Sequence, residues 1–392
     1  MLRALGLTIT TVVLSLAEAG AAGPSDLGAN AALKYWQGFA TLPTFSDAES
    51  QKLHVEYLTM PLDAPARETV AKADYSLKMM HYGAALPHCD WGLAMEEGVD
   101  ALLPHAPAAR VLSSLAFVRA RVRFDDGRTE EAIDDIVSAM TMARHVSIDS
   151  SLIGVLVGYA IESRANETLA LYLPKLDAAS IEQLQTRLDN LPTGGRPADG
   201  MKLEEATLDW FIGKVNRAAN KNELVALLSK LSESGDNRDA SAQGRKFLQE
   251  CGGTADGVVK YAEEARPCYA RAAKMLDLPI DRFVTECDRQ EAKESSNPVF
   301  RRLFPAVRKV RESQARFDVR QALLRAALDV QLKGSDALKQ HPDPLTGQAF
   351  EYTEFDGGFE LRFKFKPADK RREKWKFDPR FDESLTLTVG RR

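Results

Sequence analysis

Long apolar runs are missing from this chain once the first twenty residues are passed. The longest later stretch, Leu152 to Ala160, falls far short of the roughly twenty residues that span a bilayer, so no transmembrane span is expected after a leader is removed. A basic excess is missing too. Lys and Arg number 52 against 56 Asp and Glu, a net charge of −4, which speaks against a nucleic-acid partner. Cysteine is scarce, with four residues in 392, and none forms a CxxC pair; HExxH is also absent. Neither GxGxxG nor GxxxxGK[ST] occurs, so no loop is built to cradle phosphate and no cofactor is expected. Serine chemistry lacks its GxSxG and SxxK signatures. Asp125-Asp126-Gly127 lacks the spaced ligands of a calcium loop and reads as a helix-ending turn.

What is present begins with a leader. Met1-Leu2-Arg3 is a positive start, Leu5 to Leu16 is apolar and uncharged, and Ala17 to Ala22 offers the small residues a signal peptidase reads. The sequence thus predicts a signal peptide over residues 1–22, cut after Ala21 or Ala22, and an exported, periplasmic or secreted protein. At 44%, hydrophobic residues suffice for a core of ordinary size. The length suggests two or three units, read as an N-terminal helical domain (23–192), a second helical domain (197–333) and a small strand-bearing tail (334–392). Pro192-Thr193-Gly194-Gly195-Arg196-Pro197 marks the boundary between the first two.

The expected fold is mainly α: a bundle of stacked helix hairpins, tetratricopeptide-like in part, closed by a small antiparallel β-hairpin. Val111, Leu115, Val118 and Val122 make one apolar stripe, and Ala132, Ile133, Ile136, Val137, Met140 and Ala143 make the next. Gly127-Arg128 turns the chain between them, as in a repeat hairpin that buries its faces only by stacking on neighbours. Leu152 to Ile161 is apolar nearly all round and predicts a helix covered on both sides. A continuous helix is expected from Asp63 to Gly83. Pro305 to Leu332 reads as a long helix with a basic, solvated face that pairs with acidic neighbours. Period-two alternation from Phe350 to Phe365 around Asp356-Gly357-Gly358 predicts a hairpin, and Leu385 to Val389 a third strand; the long helix is the expected cover.

The densest polar cluster is Pro87-His88-Cys89-Asp90-Trp91-Gly92, flanked by His81 and His105. His81, His88, Asp90 and His105 are the candidate metal ligands, since catalytic zinc needs three protein ligands and an open position. His88, Cys89 and Asp90 are the candidate catalytic residues of a metal- or thiol-dependent hydrolase, which requires their side chains to converge. Against this stands a structural loop, with Trp91 anchored on the helices and His88 and Asp90 making capping bonds. Cys251, Cys268 and Cys287 lie on apolar helical faces, so a bridge from Cys268 to Cys251 or to Cys287 is the candidate disulfide. Tyr35-Trp36 with Phe39 reads as core or lip of the first helix rather than a sugar platform.

Asn30 to Trp36, Ala85 to Gly92 and Ala143 to Val146 resemble the uncharacterised exported helical proteins of planctomycete-type bacteria. The ending Asp343-Pro344-Leu345-Thr346-Gly347-Gln348-Ala349-Phe350, followed by Asp356-Gly357-Gly358-Phe359, is similar to the close of many of them. The resemblance implies a bacterial exported protein with no known activity and carries over no catalytic residue. The expected function is a non-enzymatic helical scaffold with a protein or envelope-polymer partner; the hydrolase using the His81–His105 region is the alternative.

Overall fold

The computed structural model describes residues 29–57, 60–148, 151–230, 240–304, 306–366, 369–378 and 380–391. The expected leader and Pro305 lie outside these residues. Helix α1 (Ala31–Ala40) starts at Asn30, whose side chain accepts from the Ala32 N–H at 3.0 Å and so satisfies one of the helix's unpaired donors. Next come α2 (Asp47–Gln51), α3 (Ala64–Lys72) and α4 (Asp74–Ala84). The helix expected to run unbroken from Asp63 is divided at Ala73, whose backbone leaves the helical region.

Helices α5 (His105–Asp125) and α6 (Thr129–Ser147) form the hairpin read from the sequence. Gly127 closes α5 at φ +75°, a conformation that costs a residue with a Cβ but not glycine. Helix α7 (Leu152–Tyr172) packs on α5 and α6, and its apolar circumference is covered on several sides. Helix α8 (Ala178–Asp189) is capped by Asp177, which accepts from the Ser180 N–H at 2.8 Å.

The Pro192–Pro197 segment is pinned to the end of α6. Arg144 Nη1 donates to the Pro192 carbonyl at 2.7 Å, and the Gly195 N–H donates to Ser147 Oγ at 2.7 Å. A Cβ on Gly195 would stand 1.8 Å from the Ser147 carbonyl oxygen, so close approach explains the glycine. Beyond it run α9 (Pro197–Arg217), α10 (Lys221–Lys230), α11 (Ala240–Glu250), α12 (Ala255–Leu276), α13 (Ile280–Glu294), α14 (Phe300–Leu303) and α15 (Val307–Lys333). Gly244 lets α11 press against Val225 and Ser229 of α10.

Packing crosses the 192–197 boundary. Helix α7 meets α9 and α15, and α15 also meets α8 and α12. The basic side of the long helix is half-buried by these neighbours, and it makes the expected pairs with acids. Its arginines reach acids on surrounding elements, Arg308 to Asp288 at 2.7 Å and Arg325 to Asp189 at 2.7 Å, while Arg311 is buried.

Strands β1 (Glu351–Phe355), β2 (Gly358–Arg362) and β3 (Thr386–Val389) form an antiparallel sheet in the order β1-β2-β3. Gly357 turns the hairpin at φ +85°. Phe359, Leu361, Leu387 and Val389 are buried, and the cover is shared by α7 and α15 rather than supplied by α15 alone. A short helix, α16 (Arg371–Trp375), lies against α13. No helix among the described residues is long and apolar enough to cross a membrane.

Candidate functional site

The His81–His105 segment is held together by structural bonds. Asn30 clamps the loop: its Nδ2 donates to the Asp90 carbonyl at 2.8 Å, and its Oδ1 accepts from the Asp90 N–H at 2.9 Å. The Asp90 carboxylate accepts from the Gly92 N–H at 2.9 Å, the local turn its residue type favours. His88 and Asp90 are exposed, whereas Cys89 between them turns inward and is buried. Successive residues on an extended segment point to opposite sides, and that separates Cys89 from His88 and Asp90.

His81 lies elsewhere, on α4. Its Nε2 is 2.8 Å from Asp135 Oδ1 and its Nδ1 is 2.9 Å from Ser138 Oγ. Asp135 is fully buried on α6 and also accepts from Arg119 and Arg123. Burial works to raise the Asp135 pKa, but hydrogen bonds from His81 and Arg119, then the charge of Arg123, hold it below the usual carboxylate range.

His105 is fully buried, with its ring 4.8 Å from that of Trp91. Neither ring nitrogen has a hydrogen-bond partner among the described residues, and burial pushes its pKa down to about 4. Trp91 stacks on Tyr35 and Phe39 and donates from Nε1 to the His145 carbonyl at 2.7 Å. His145 itself, absent from the sequence candidates, is buried and bonded through Nδ1 to the Tyr35 hydroxyl at 2.9 Å. Burial, and then the nearby His88, push its pKa down to about 4. Tyr35, Phe39 and Trp91 thus build a packed aromatic core. Among the described residues no three His, Cys, Asp or Glu side chains are grouped as a metal ion requires, so the four candidate ligands are not brought together.

Cys251, Cys268 and Cys287, the residues of the candidate disulfide, are buried free thiols in this structure. Two of the sulfurs engage their own helices: Arg271 donates to Cys268 Sγ at 3.1 Å, and Cys287 Sγ donates to Glu291 at 3.3 Å. Burial pushes Cys251 up to about 11 and Cys287 up to about 12, which keeps both protonated and unreactive.

A second polar layer lies between α7 and α15. The rings of Tyr159 and Phe317 stack at 4.0 Å, and Glu162 accepts from Arg144 and Gln321 at 3.2 Å each. Burial lifts Asp318 from its ordinary 3.8 to about 6, against the pull of Arg311. A carboxyl whose folded pKa is raised favours the fold while protonated, and that contribution disappears as pH rises from about 4 to about 6. The two-unit gap is worth about 3 kcal/mol. Asp318→Asn is therefore expected to raise the urea midpoint at pH 7.5 and leave it nearly unchanged at pH 4. An unchanged midpoint at pH 7.5 would contradict this.

A groove of about 910 Å³ lies between α12 and α13, within the range of ligand sites. Six cations line it: Arg271, Lys274, Arg282, Arg289, Lys293 and Lys374. Only three carboxylates oppose them, Asp281, Glu286 and Glu294. Arg271 pairs with Glu294 at 3.0 Å, Lys374 with Asp281 at 3.2 Å, and Arg289 with Glu286. Lys274 and Arg282 are exposed and have no ion-pair partner among the described residues. Met275 and Leu278 supply apolar walls. Sequence reasoning missed this site because its cations are spread over two helices and α16, and only their packing collects them.

No protein family, curated protein or solved structure matches this chain.

Proposed function

We propose that this chain is an exported, non-enzymatic helical binding protein that takes an anionic envelope component in the groove between α12 and α13. One observation carries the reading: six cations against three carboxylates line this groove in a chain whose net charge is −4. A cleft with low-dielectric walls and one dominant sign of charge concentrates counter-charged ligands. His81, His105 and Asp90 are meanwhile taken up in the hydrogen bonds and ring contacts of the fold, which favours binding over hydrolysis. The α5–α6 hairpin, tetratricopeptide-like in its stripe pattern and Gly-Arg turn, belongs to the rigid framework in this reading. Export rests on the leader over residues 1–22, and a mature chain beginning at Ala22 or Gly23 is its check.

Titration with poly-glutamate at low salt tests the groove. The expected result is saturable binding that weakens about tenfold in the Lys274→Glu/Arg282→Glu variant, since each exposed charge contact contributes up to about 1 kcal/mol. Binding that the double variant leaves intact would overturn the reading.

A further inference from the structure

The walls of the groove carry more than charge. Gln290, on α13, is about nine-tenths buried and lines both the groove and a second cavity of about 330 Å³. Its Nε2 donates to the Cys268 carbonyl at 3.3 Å, which fixes the amide's orientation, since a carbonyl can only accept. Its Oε1 then has no donor among the described residues, although it is buried. A buried carbonyl left without a donor is a strong acceptor for any N–H or O–H that reaches it.

The second cavity adds aromatic walls. Phe300, Phe304, Ala306 and Val307 line it together with Glu291, Arg301, Arg308 and Lys309. Met275 and Gln290 belong to both cavities. Methionine is unbranched and rotates readily, so of these two shared walls Met275 is the one that yields to a ligand group.

We infer that the groove takes an amphiphilic anion: an acidic headgroup set against Lys274 and Arg282, an N–H or O–H donated to Gln290 Oε1, and an apolar body against Met275 and Leu278. The inference rests on the groove being the binding face and narrows its ligand from any polyanion to one with an apolar arm. Charge alone accounts for neither the unmatched amide oxygen nor the aromatic cavity behind Met275. A small molecule with all three features uses every part of the site.

The test uses two fluorescent naphthylamines that share an anilino N–H and differ by one sulfonate. 1-Anilinonaphthalene-8-sulfonate is expected to bind the full-length mature protein one-to-one, at least tenfold tighter than uncharged N-phenyl-1-naphthylamine. Dodecyl phosphate is expected to displace it, whereas dodecyltrimethylammonium does not. Lys274→Glu/Arg282→Glu, at two exposed positions, is expected to weaken it about tenfold. Gln290→Leu is expected to weaken it about fivefold, the scale of one hydrogen bond. Equal affinity for both dyes, or an unchanged affinity in the double variant, would overturn the inference. If poly-glutamate still binds through Lys274 and Arg282 while the sulfonate dye does not, the amphiphile is excluded and the anionic groove stands. If neither binds, both fall.

Discussion

Asp135→Ala is expected to cost about 3–5 kcal/mol of stability, because it leaves buried guanidinium charge without its anion. Asp135 is fully buried and lies 2.6 Å from Arg119 Nη2 and 2.6 Å from Arg123 Nη1, with His81 at 2.8 Å. The Arg119 side chain is only 9% exposed, so water cannot replace the lost carboxylate. Its other acidic neighbour, Asp74, is 3.3 Å away and largely exposed, a weak substitute. Three elements meet at this one carboxylate: α4 through His81, α5 through both arginines, and α6 through Asp135 itself. The effect should therefore appear as a lower urea midpoint for the whole N-terminal bundle and not as local fraying. The exposed pair of Arg67 and Asp126 is the control. Asp126→Ala should change the midpoint far less, since solvent screens that pair. A loss below about 1 kcal/mol in Asp135→Ala would mean that the arginines find other partners.

Acid should unfold the protein through two histidines that were not paired with each other by any sequence argument. His105 and His145 are buried, and both have pKa values pushed down from 6.5 to about 4. A lowered folded pKa gives stability that is fully present above 6.5 and lost as pH falls from 6.5 towards 4, because the unfolded chain takes up the protons first. Each histidine's gap of about 2.5 units corresponds to about 3 kcal/mol over that window. Asp318 works in the opposite direction over nearly the same range, recovering about 3 kcal/mol as it protonates. The net slope is therefore about half of what the histidines alone would give, and Asp318→Asn should steepen it. His105→Phe places an aromatic ring of similar shape against Trp91 and removes one titrating group. The difference between urea midpoints at pH 7.0 and pH 4.5 should shrink markedly in this variant. An unchanged difference would show that His105 is not the buried base described here.

Local elements were legible in the sequence where a single residue type has a single physical use. Gly127 and Gly357 occupy positive-φ turns, and the alternation from Phe359 to Phe365 sets one sheet face inward. The apolar circumference of Leu152 to Ile161 announced a covered helix, and α7 is covered on several sides but leaves Ile153 and Ala160 exposed. What could not be read was assembly. The glycines of Pro192–Pro197 look like those of a linker, yet Gly195 is there because Ser147 leaves no room for a side chain. The arginines of α15 announced acidic neighbours, but not which helices bring those acids to them. The His88-Cys89-Asp90 triplet drew attention as a dense polar motif, although adjacent side chains on an extended strand diverge. Asp135 offered a usable signal: a charge set in the stripe formed by Ala132, Ile133 and Ile136 must meet opposite charge when buried. The groove offered none, since Lys274 and Arg282 acquire meaning only when α12 and α13 lie side by side.

Hydrogen–deuterium exchange of the full-length mature protein, with and without saturating dodecyl phosphate, tests most directly where this molecule works. Slowed exchange confined to Arg271–Glu294 and the neighbourhood of Lys374, with the His81–His105 segment unchanged, is the predicted result. Protection concentrated at His81–His105, with the groove unaffected, would contradict it.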